Sequence, residues 1–400
     1  MTTRTRVIIA GAGPVGVVAA YRLAQWGIDT IVLEAGADCP EDMRASTFHP
    51  PSLEMMSELG IFEELAAVGL KAPLYQYRNR ATGNAVELDL SELADMTAHP
   101  YRLQCEQWKL SRLVSAKLAA HPHGDVRFQH RLVSIEQDAS GVTVHAETPL
   151  AIESFRADYL IAADGASSTV RKWTGIEFEG FTYPERFLTL STDYAIEQQI
   201  PNLANVNYVA DAEEWCVLLR VPGLWRVLVP SAEVESDAFL TSDAKKNAVF
   251  RGLLGDDIDV QTYHRTLYRV HQRVAKSFRH GRVLLAGDAA HLNNPLGGFG
   301  MNSGLHDAWN LTEKLRRVLF EDADADVQLD HYDRQRRTVT RDFVQAQTIA
   351  NKQMLEAEGA GGKTVQELKL EALVADPVAR REYLLKQAMF RSLEDEAAIA

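Results

Sequence analysis

The chain has 400 residues, 46% of them hydrophobic and 24% charged, and a formal net charge of −13. That length asks for more than one core, and the acidic balance excludes nucleic acid as a partner, because binding phosphates needs a basic face. No run of 18 apolar residues occurs, so neither a spanning helix nor a stable membrane association is expected.

Met1-Thr2-Thr3-Arg4-Thr5-Arg6 leads directly into a strand, with no secretory apolar region and no cleavage site. Arg6 to Ala10 is that strand, Pro14 to Trp26 a helix ending at Gly27, and Ile28 to Leu33 a second strand closing on Glu34-Ala35. Between the first strand and the helix stands Gly11-Ala12-Gly13-Pro14-Val15-Gly16. Gly11 permits a tight turn, Gly13 lets the backbone approach a pyrophosphate, and Gly16 lets the helix pack on the strand. The helix start offers N–H groups and partial positive charge to that pyrophosphate. Glu34 is placed to accept from a ribose hydroxyl. This unit predicts a dinucleotide and does not separate NAD from FAD.

Helices are expected over 52–59, 61–68 and 110–120, and residues 73–100 turn polar and aromatic. Residues 126–128, 132–137 and 142–146 read as a small meander. Tyr159 to Ala163 is a buried strand followed by Asp164-Gly165-Ala166-Ser167-Ser168-Thr169-Val170-Arg171, and an acid at that place faces the ligand crevice of a doubly wound sheet. The stretch 181–270 is strand-rich, with a hairpin around Pro222-Gly223.

Residues 283–286 form another buried strand, ending in Gly287-Asp288-Ala289-Ala290-His291, and Pro295-Leu296-Gly297-Gly298-Phe299-Gly300-Met301-Asn302-Ser303-Gly304 follows. Asp288 is placed for a ribityl hydroxyl, and the Pro295–Gly300 turn brings backbone against a flat ring. A helix starting at Met301-Asn302 points its positive end at the pyrimidine side of that ring, where it stabilises the anion formed on reduction. This second region narrows the ligand to FAD. Helices dominate after Gly304, with a hinge at Gly359-Ala360-Gly361-Gly362. The apolar stripe over Tyr383–Leu393 docks on its own body, with a homodimer contact and then membrane association as the alternatives. Cys39, Cys105 and Cys216 are scattered, so no disulfide and no metal is expected, and a reducing cytoplasm is the expected location.

The expected fold class is α/β. Residues 1–72, 101–180 and 265–330 form a discontinuous Rossmann-like FAD-binding domain. Residues 73–100 and 181–264 form an inserted antiparallel-sheet substrate domain, and 331–400 the C-terminal helices.

Together the three motifs resemble those of the group A flavoprotein monooxygenases, the family of para-hydroxybenzoate hydroxylase and phenol hydroxylase. The likeness spans residues 5–340 and extends to Tyr268–Ala275 before Gly281-Arg282-Val283 and to Asp307-Ala308-Trp309-Asn310-Leu311. It implies that NADH or NADPH reduces FAD and that O2 adds at flavin C4a. The resulting hydroperoxide then hydroxylates a small aromatic or heteroaromatic substrate of the phenol, aromatic-acid or hydroxypyridine type. It also implies that Arg44 contacts the cofactor, that Gln107 meets the ribityl chain with Gln104 as competitor, and that the Asp164 stretch serves both pyrophosphate and nicotinamide donor. The expected FAD contacts are therefore Gly11, Gly13, Pro14, Gly16, Glu34, Ala35, Arg44, Gln107, Asp164, Gly287, Asp288, Pro295, Gly298, Gly300, Met301 and Asn302.

On the substrate side, Tyr208 and Arg220 sit at spacings similar to substrate-contacting positions of para-hydroxybenzoate hydroxylase. Arg220 could clamp a carboxylate or simply form a strand-end salt bridge, and Tyr208 could be a core tyrosine. His49 could act as a base or be structural before Pro50-Pro51. Backbone at Pro295 and Leu296 is expected to line the reaction cavity. Three rivals remain. A flavin-dependent halogenase would carry Trp-x-Trp-x-Ile-Pro, which is absent. A prenyl-chain reductase would need an apolar tunnel. A non-catalytic flavin-binding redox protein would not consume NAD(P)H with oxygen.

Overall fold

The computed structural model describes residues 2–41, 45–211, 214–231, 233–256, 258–356 and 365–400. Arg44 and the expected hinge at Gly359–Gly362 lie outside the described residues.

Val7–Ala10, Thr30–Leu33, Tyr159–Ala162 and Val283–Leu285 are buried at every position. That is why they read as unbroken apolar runs rather than alternating strands. They form the middle of a six-stranded sheet ordered Arg279–His280, Val283–Leu285, Tyr159–Ala162, Val7–Ala10, Thr30–Leu33, Gly124–Arg127. Only the first pair is antiparallel. The register sets Ala10 beside both Ala162 and Leu33, and Ala162 beside Leu285. Three motifs distant in sequence thus leave the sheet at one edge.

Gly124–Arg127 pairs in parallel with Thr30–Leu33, which corrects its expected place in a meander. Gly124 allows this, since a Cβ there would stand 2.4 Å from the Leu118 carbonyl oxygen. The two other expected meander strands, Arg131–Asp138 and Gly141–Glu147, join Ile152–Ala157 and Thr2–Arg4 in a four-stranded sheet.

The eight-stranded sheet runs His291–Leu292, His264–Ala275, Phe178–Thr192, Leu224–Ser231, Cys216–Val221, Val206–Ala210, Leu74–Asn79, Ala85–Asp89. Its one parallel contact is Val206–Ala210 with Leu74–Asn79. Phe178–Thr192 and His264–Ala275 run through the expected boundaries at 180 and 265, so the long ribbon they make belongs to the eight-stranded sheet along its whole length. Their register slips between Thr182 and Arg186. Pro184 lies in that gap and has no N–H for the ladder. The expected hairpin forms, with Val221 opposite Leu224 and Gly223 at φ +80° in the turn.

Phe299–Phe320 is the longest helix among the described residues and packs on Pro14–Gln25 and Ala325–Val339. Tyr383–Leu393 is not one helix. Pro377–Gln387 and Phe390–Ala398 are separated at Met389, which has φ +70°. Leu384, Leu385, Ala388 and Met389 are buried within the body.

Candidate active site

A cavity of about 620 Å³ lies between the C-terminal edge of the parallel sheet and one face of the eight-stranded sheet. Among the residues expected to hold FAD, it is lined by Gly11, Gly13, Pro14, Glu34, Ala35, Gln107, Asp164, Asp288, Pro295, Gly298, Gly300 and Met301. Gln107 rather than Gln104 reaches it. Gln104 is buried behind the wall, accepting a hydrogen bond from the Thr47 hydroxyl at 3.0 Å.

The residues present fit FAD. Gly11 has φ +101°, and a Cβ there would lie 2.4 Å from the Ala163 carbonyl oxygen, so only glycine makes this turn. A Cβ at Gly13 would meet nothing within 4 Å, which leaves its backbone open to the cavity. Of the helices that begin at the cavity, Pro14–Gln25 and Phe299–Phe320 each have a glycine at the N-cap, Gly13 and Gly298, with no side-chain cap. With no side chain capping them, their first N–H groups suit anionic groups of a ligand. The second helix begins at Phe299, two residues before its expected start.

The remaining motif residues hold the frame. Gly16 sits where a Cβ would lie 2.1 Å from the Gly11 carbonyl oxygen, so it packs helix on turn and does not line the cavity. Glu34 accepts from Ala12 N–H and Gly36 N–H, both at 2.8 Å, and so anchors the fingerprint turn as well as facing the cavity. Asp164 accepts from the Ser168 hydroxyl and from Val170 N–H, and burial pushes its carboxyl above the usual range. Arg171 donates to the carbonyls of Ala166 and Ala289, both at 2.8 Å, and ties the second motif to the third.

Gly287 does not reach the cavity. Its N–H donates to Asp307 at 2.9 Å. The same fully buried carboxylate takes His291 Nε2 at 2.8 Å and Arg336 Nε at 2.7 Å. Burial alone would raise the Asp307 carboxyl, but His291 and Arg336 hold it below 3.8. Nothing in the sequence motifs pointed to Arg336, which the fold brings in from a later helix.

Asn302 and His49 lie beside the cavity rather than in its wall. Asn302 accepts from His49 N–H and donates to the carbonyls of Thr47 and Gly298. His49 Nε2 lies 2.7 Å from the Gly297 carbonyl, which can only accept, so this nitrogen carries the proton. Burial, with Arg102 nearby, keeps the ring well below its usual pKa and hence neutral. His49 thus pins the glycine loop, and the structure does not bring it to the reaction cavity as a base.

On the substrate side the cavity is lined by Tyr208, Pro295, Leu296, Val217, Leu219 and Leu228. Arg220 is placed elsewhere. The hairpin pairs Val217 with Leu228 and Leu219 with Arg226, and these face the cavity, whereas Arg220 pairs with Trp225 on the opposite face. Arg220 lies 3.8 Å from Glu197 and over the Trp225 ring, the salt-bridge alternative. Arg220→Met is therefore expected to leave substrate KM unchanged, and a large rise in KM by steady-state kinetics would return it to the site. Arg226, 2% exposed, is the hairpin arginine that lines the cavity. Counting outward from Pro222-Gly223 in steps of two would have found it.

The description "FAD binding domain" names the family that matches residues 4–347. Para-nitrophenol 4-monooxygenase of Pseudomonas sp. (strain WBC-3) is 32% identical over 390 residues, covering 96% of each chain. 6-Hydroxy-3-succinoylpyridine 3-monooxygenase HspB of Pseudomonas putida (strain DSM 28022 / S16) is 33% identical over 345 residues, 84% of this chain and 85% of that protein. The crystal structure of p-nitrophenol 4-monooxygenase PnpA from Pseudomonas putida DLL-E4 superposes with a TM-score of 0.92 at 31% identity, covering 98% of this chain and 99% of that one. Fingerprint, Gly-Asp motif, glycine loop and these likenesses agree, and the chain belongs to the group A FAD-dependent aromatic monooxygenases.

Proposed function

We propose that this FAD-dependent monooxygenase hydroxylates a small phenol or hydroxypyridine, with NAD(P)H as reductant and O2 as oxidant. The observation that carries the substrate class is the continuity of the cavity, which runs from the dinucleotide fingerprint to an apolar wall bearing Tyr208. The relatives named above act on a nitrophenol and on a hydroxypyridine. When bound, FAD supplies the two-electron link between NAD(P)H and O2 that places one oxygen atom on the ring.

The chain's own residues position and shield. Asp288, Gly13 and Gln107 are proposed to hold the cofactor, and the uncapped start of Phe299–Phe320 to face its ring. Val217, Leu219, Leu228 and Leu296 exclude water, which favours oxygen transfer over loss as peroxide. Tyr208 offers a hydroxyl to the ring's oxygen substituent. We assign residues 73–100 and 181–264, with the ribbon ends at 178–180 and 265–275, to substrate binding, and we place the protein in the cytoplasm, in keeping with its three buried free cysteines.

Without an aromatic substrate, NAD(P)H oxidation is expected to be slow and to yield hydrogen peroxide. The right phenol or hydroxypyridine is expected to raise the rate at least about tenfold, the effect of lowering a barrier by roughly 1.4 kcal/mol, and to turn oxygen into hydroxylated product. Oxygen-electrode and peroxide assays read both quantities. Stoichiometric peroxide with every such ring would instead identify a reductase or a redox protein.

A further inference from the structure

Residues 292–298 wall the reaction cavity through Leu292, Asn293, Pro295, Leu296 and Gly298, and a helix outside that wall holds them. Between Ala325–Val339 and Ala346–Leu355 the chain widens into a π turn over Thr340–Gln345, a local form that is frequent at functional sites. Gln345, Thr348 and Asn351 follow one another at steps of three, so they lie along one flank of the helix. Gln345 Nε2 donates to the Leu292 carbonyl at 2.9 Å, the Thr348 carbonyl accepts from Asn294 Nδ2 at 3.0 Å, and Asn351 Nδ2 donates to the Leu296 carbonyl at 3.2 Å. Asn294 in turn accepts from the Leu296 N–H at 3.1 Å.

Asn351 comes close to the loop because of its neighbour there. Gly297 has φ +102°, and a Cβ on it would stand 2.7 Å from Asn351 Nδ2, so glycine admits the amide to the Leu296 carbonyl. That carbonyl can only accept, so Nδ2 faces it and Oδ1 is left for donors. Two supply it: Gln347 Nε2 at 3.1 Å and Gln387 Nε2 at 3.0 Å. Gln347 belongs to the same helix, whereas Gln387 is the last residue of Pro377–Gln387. The C-terminal helices thus reach the cavity loop through one pair of amides. Asn351 and Gln387 are both buried, where water does not replace a hydrogen bond that is lost.

We propose that Asn351, steered by Gln387, is a positioning residue that holds Leu296 against the reaction cavity and so sets how much of the oxygen taken up reaches the ring. The inference rests on the monooxygenase reading above and deepens it. The Leu296 side chain packs with Tyr208, Val217 and Leu228 in the water-excluding wall, and its carbonyl is the handle by which the helix holds it. When the handle slips, the wall admits water. The two electrons of NAD(P)H then leave on O2 with two protons as hydrogen peroxide, instead of one oxygen atom going to the ring and the other to water. The yield of product per NAD(P)H thereby depends on Gln387, a residue outside the cavity wall.

The test uses FAD-loaded protein and two readouts. Hydrogen exchange without NAD(P)H reports the loop itself. Peroxide and product formed per NAD(P)H report coupling, with para-nitrophenol and 2-hydroxypyridine as the first rings tried. Asn351→Asp removes the donor to Leu296, and Gln387→Glu sets an acceptor opposite Oδ1. In both, amide exchange over residues 292–298 is expected to quicken about 2- to 10-fold, the effect of one buried hydrogen bond, and the peroxide share to rise by a similar factor. FAD content, substrate KM and the substrate-free rate are expected to hold. Val249→Ala, in the core on the other face of the eight-stranded sheet, is the stability control, expected to lower Tm and leave both readouts alone. Wild-type coupling in a folded Asn351→Asp overturns the inference, and so does equal uncoupling in Val249→Ala. If Asn351→Asp does not fold, Gln387→Met decides. It is close in size and lacks the donor, so both readouts are expected to move part of the way, and no movement overturns the inference. Faster exchange with unchanged coupling refutes only the role of Asn351 and leaves the monooxygenase reading standing. Stoichiometric peroxide from the wild type with every ring refutes that reading and this inference together.

Discussion

Asp307→Ala is expected to destabilise the protein by about 3–5 kcal/mol, the usual effect of removing one partner of a buried ion pair. Asp307 and Arg336 are both fully buried. Without the carboxylate, Arg336 keeps Glu396 and Ser303, and the Gly287 N–H loses its acceptor. The Gly-Asp turn is thereby loosened at the point where Asp288 faces the cavity, so FAD retention is expected to fall with stability. Equilibrium unfolding and flavin content read the two effects, and a variant that melts and binds like the wild type would show that Arg336 and Glu396 suffice. The acid limb carries a signature. A carboxyl held below 3.8 in the folded state contributes fully above that pH, and its contribution fades as the pH falls through the lower folded value. The variant is expected to lack that part of the acid transition.

Asp288→Ala is expected to weaken FAD binding roughly 10- to 150-fold, since a hydrogen bond to a charged group is worth about 1.5–3 kcal/mol. Asp288 is half-buried in the short Gly287–Ala289 turn and lines the cavity. Quenching of flavin fluorescence on titration into apoprotein measures the change. Glu34→Ala is the comparison, with a smaller expected loss, because both Glu34 oxygens already accept from backbone N–H groups. Unchanged affinity in Asp288→Ala would remove Asp288 from the cofactor site.

The cofactor half of the site was legible because its motifs encode backbone demands. Only glycine makes the turn at Gly11, and the glycine N-caps Gly13 and Gly298 leave the helices that follow them without a side-chain cap. The substrate half was obscure for a reason of parity. Arg220 and Arg226 lie in one hairpin, and which of them faces inward depends on the turn residues rather than on either arginine. The break at Met389 left no mark either, since a non-glycine residue at positive φ carries no compositional signal. Gly124–Arg127 was misassigned because sheet membership follows from pairing, and its neighbour in the parallel sheet, Thr30–Leu33, lies far back in the chain.

The order of strands in the parallel sheet also sets a clock. Val7–Ala10 is flanked by Tyr159–Ala162, which in turn waits for Val283–Leu285. During synthesis at about 5–20 residues per second, the fingerprint emerges roughly 15–60 s before the glycine loop that completes the cavity. FAD capture therefore follows translation of some three-quarters of the chain, and the nascent protein spends that interval with an apolar sheet edge unpaired.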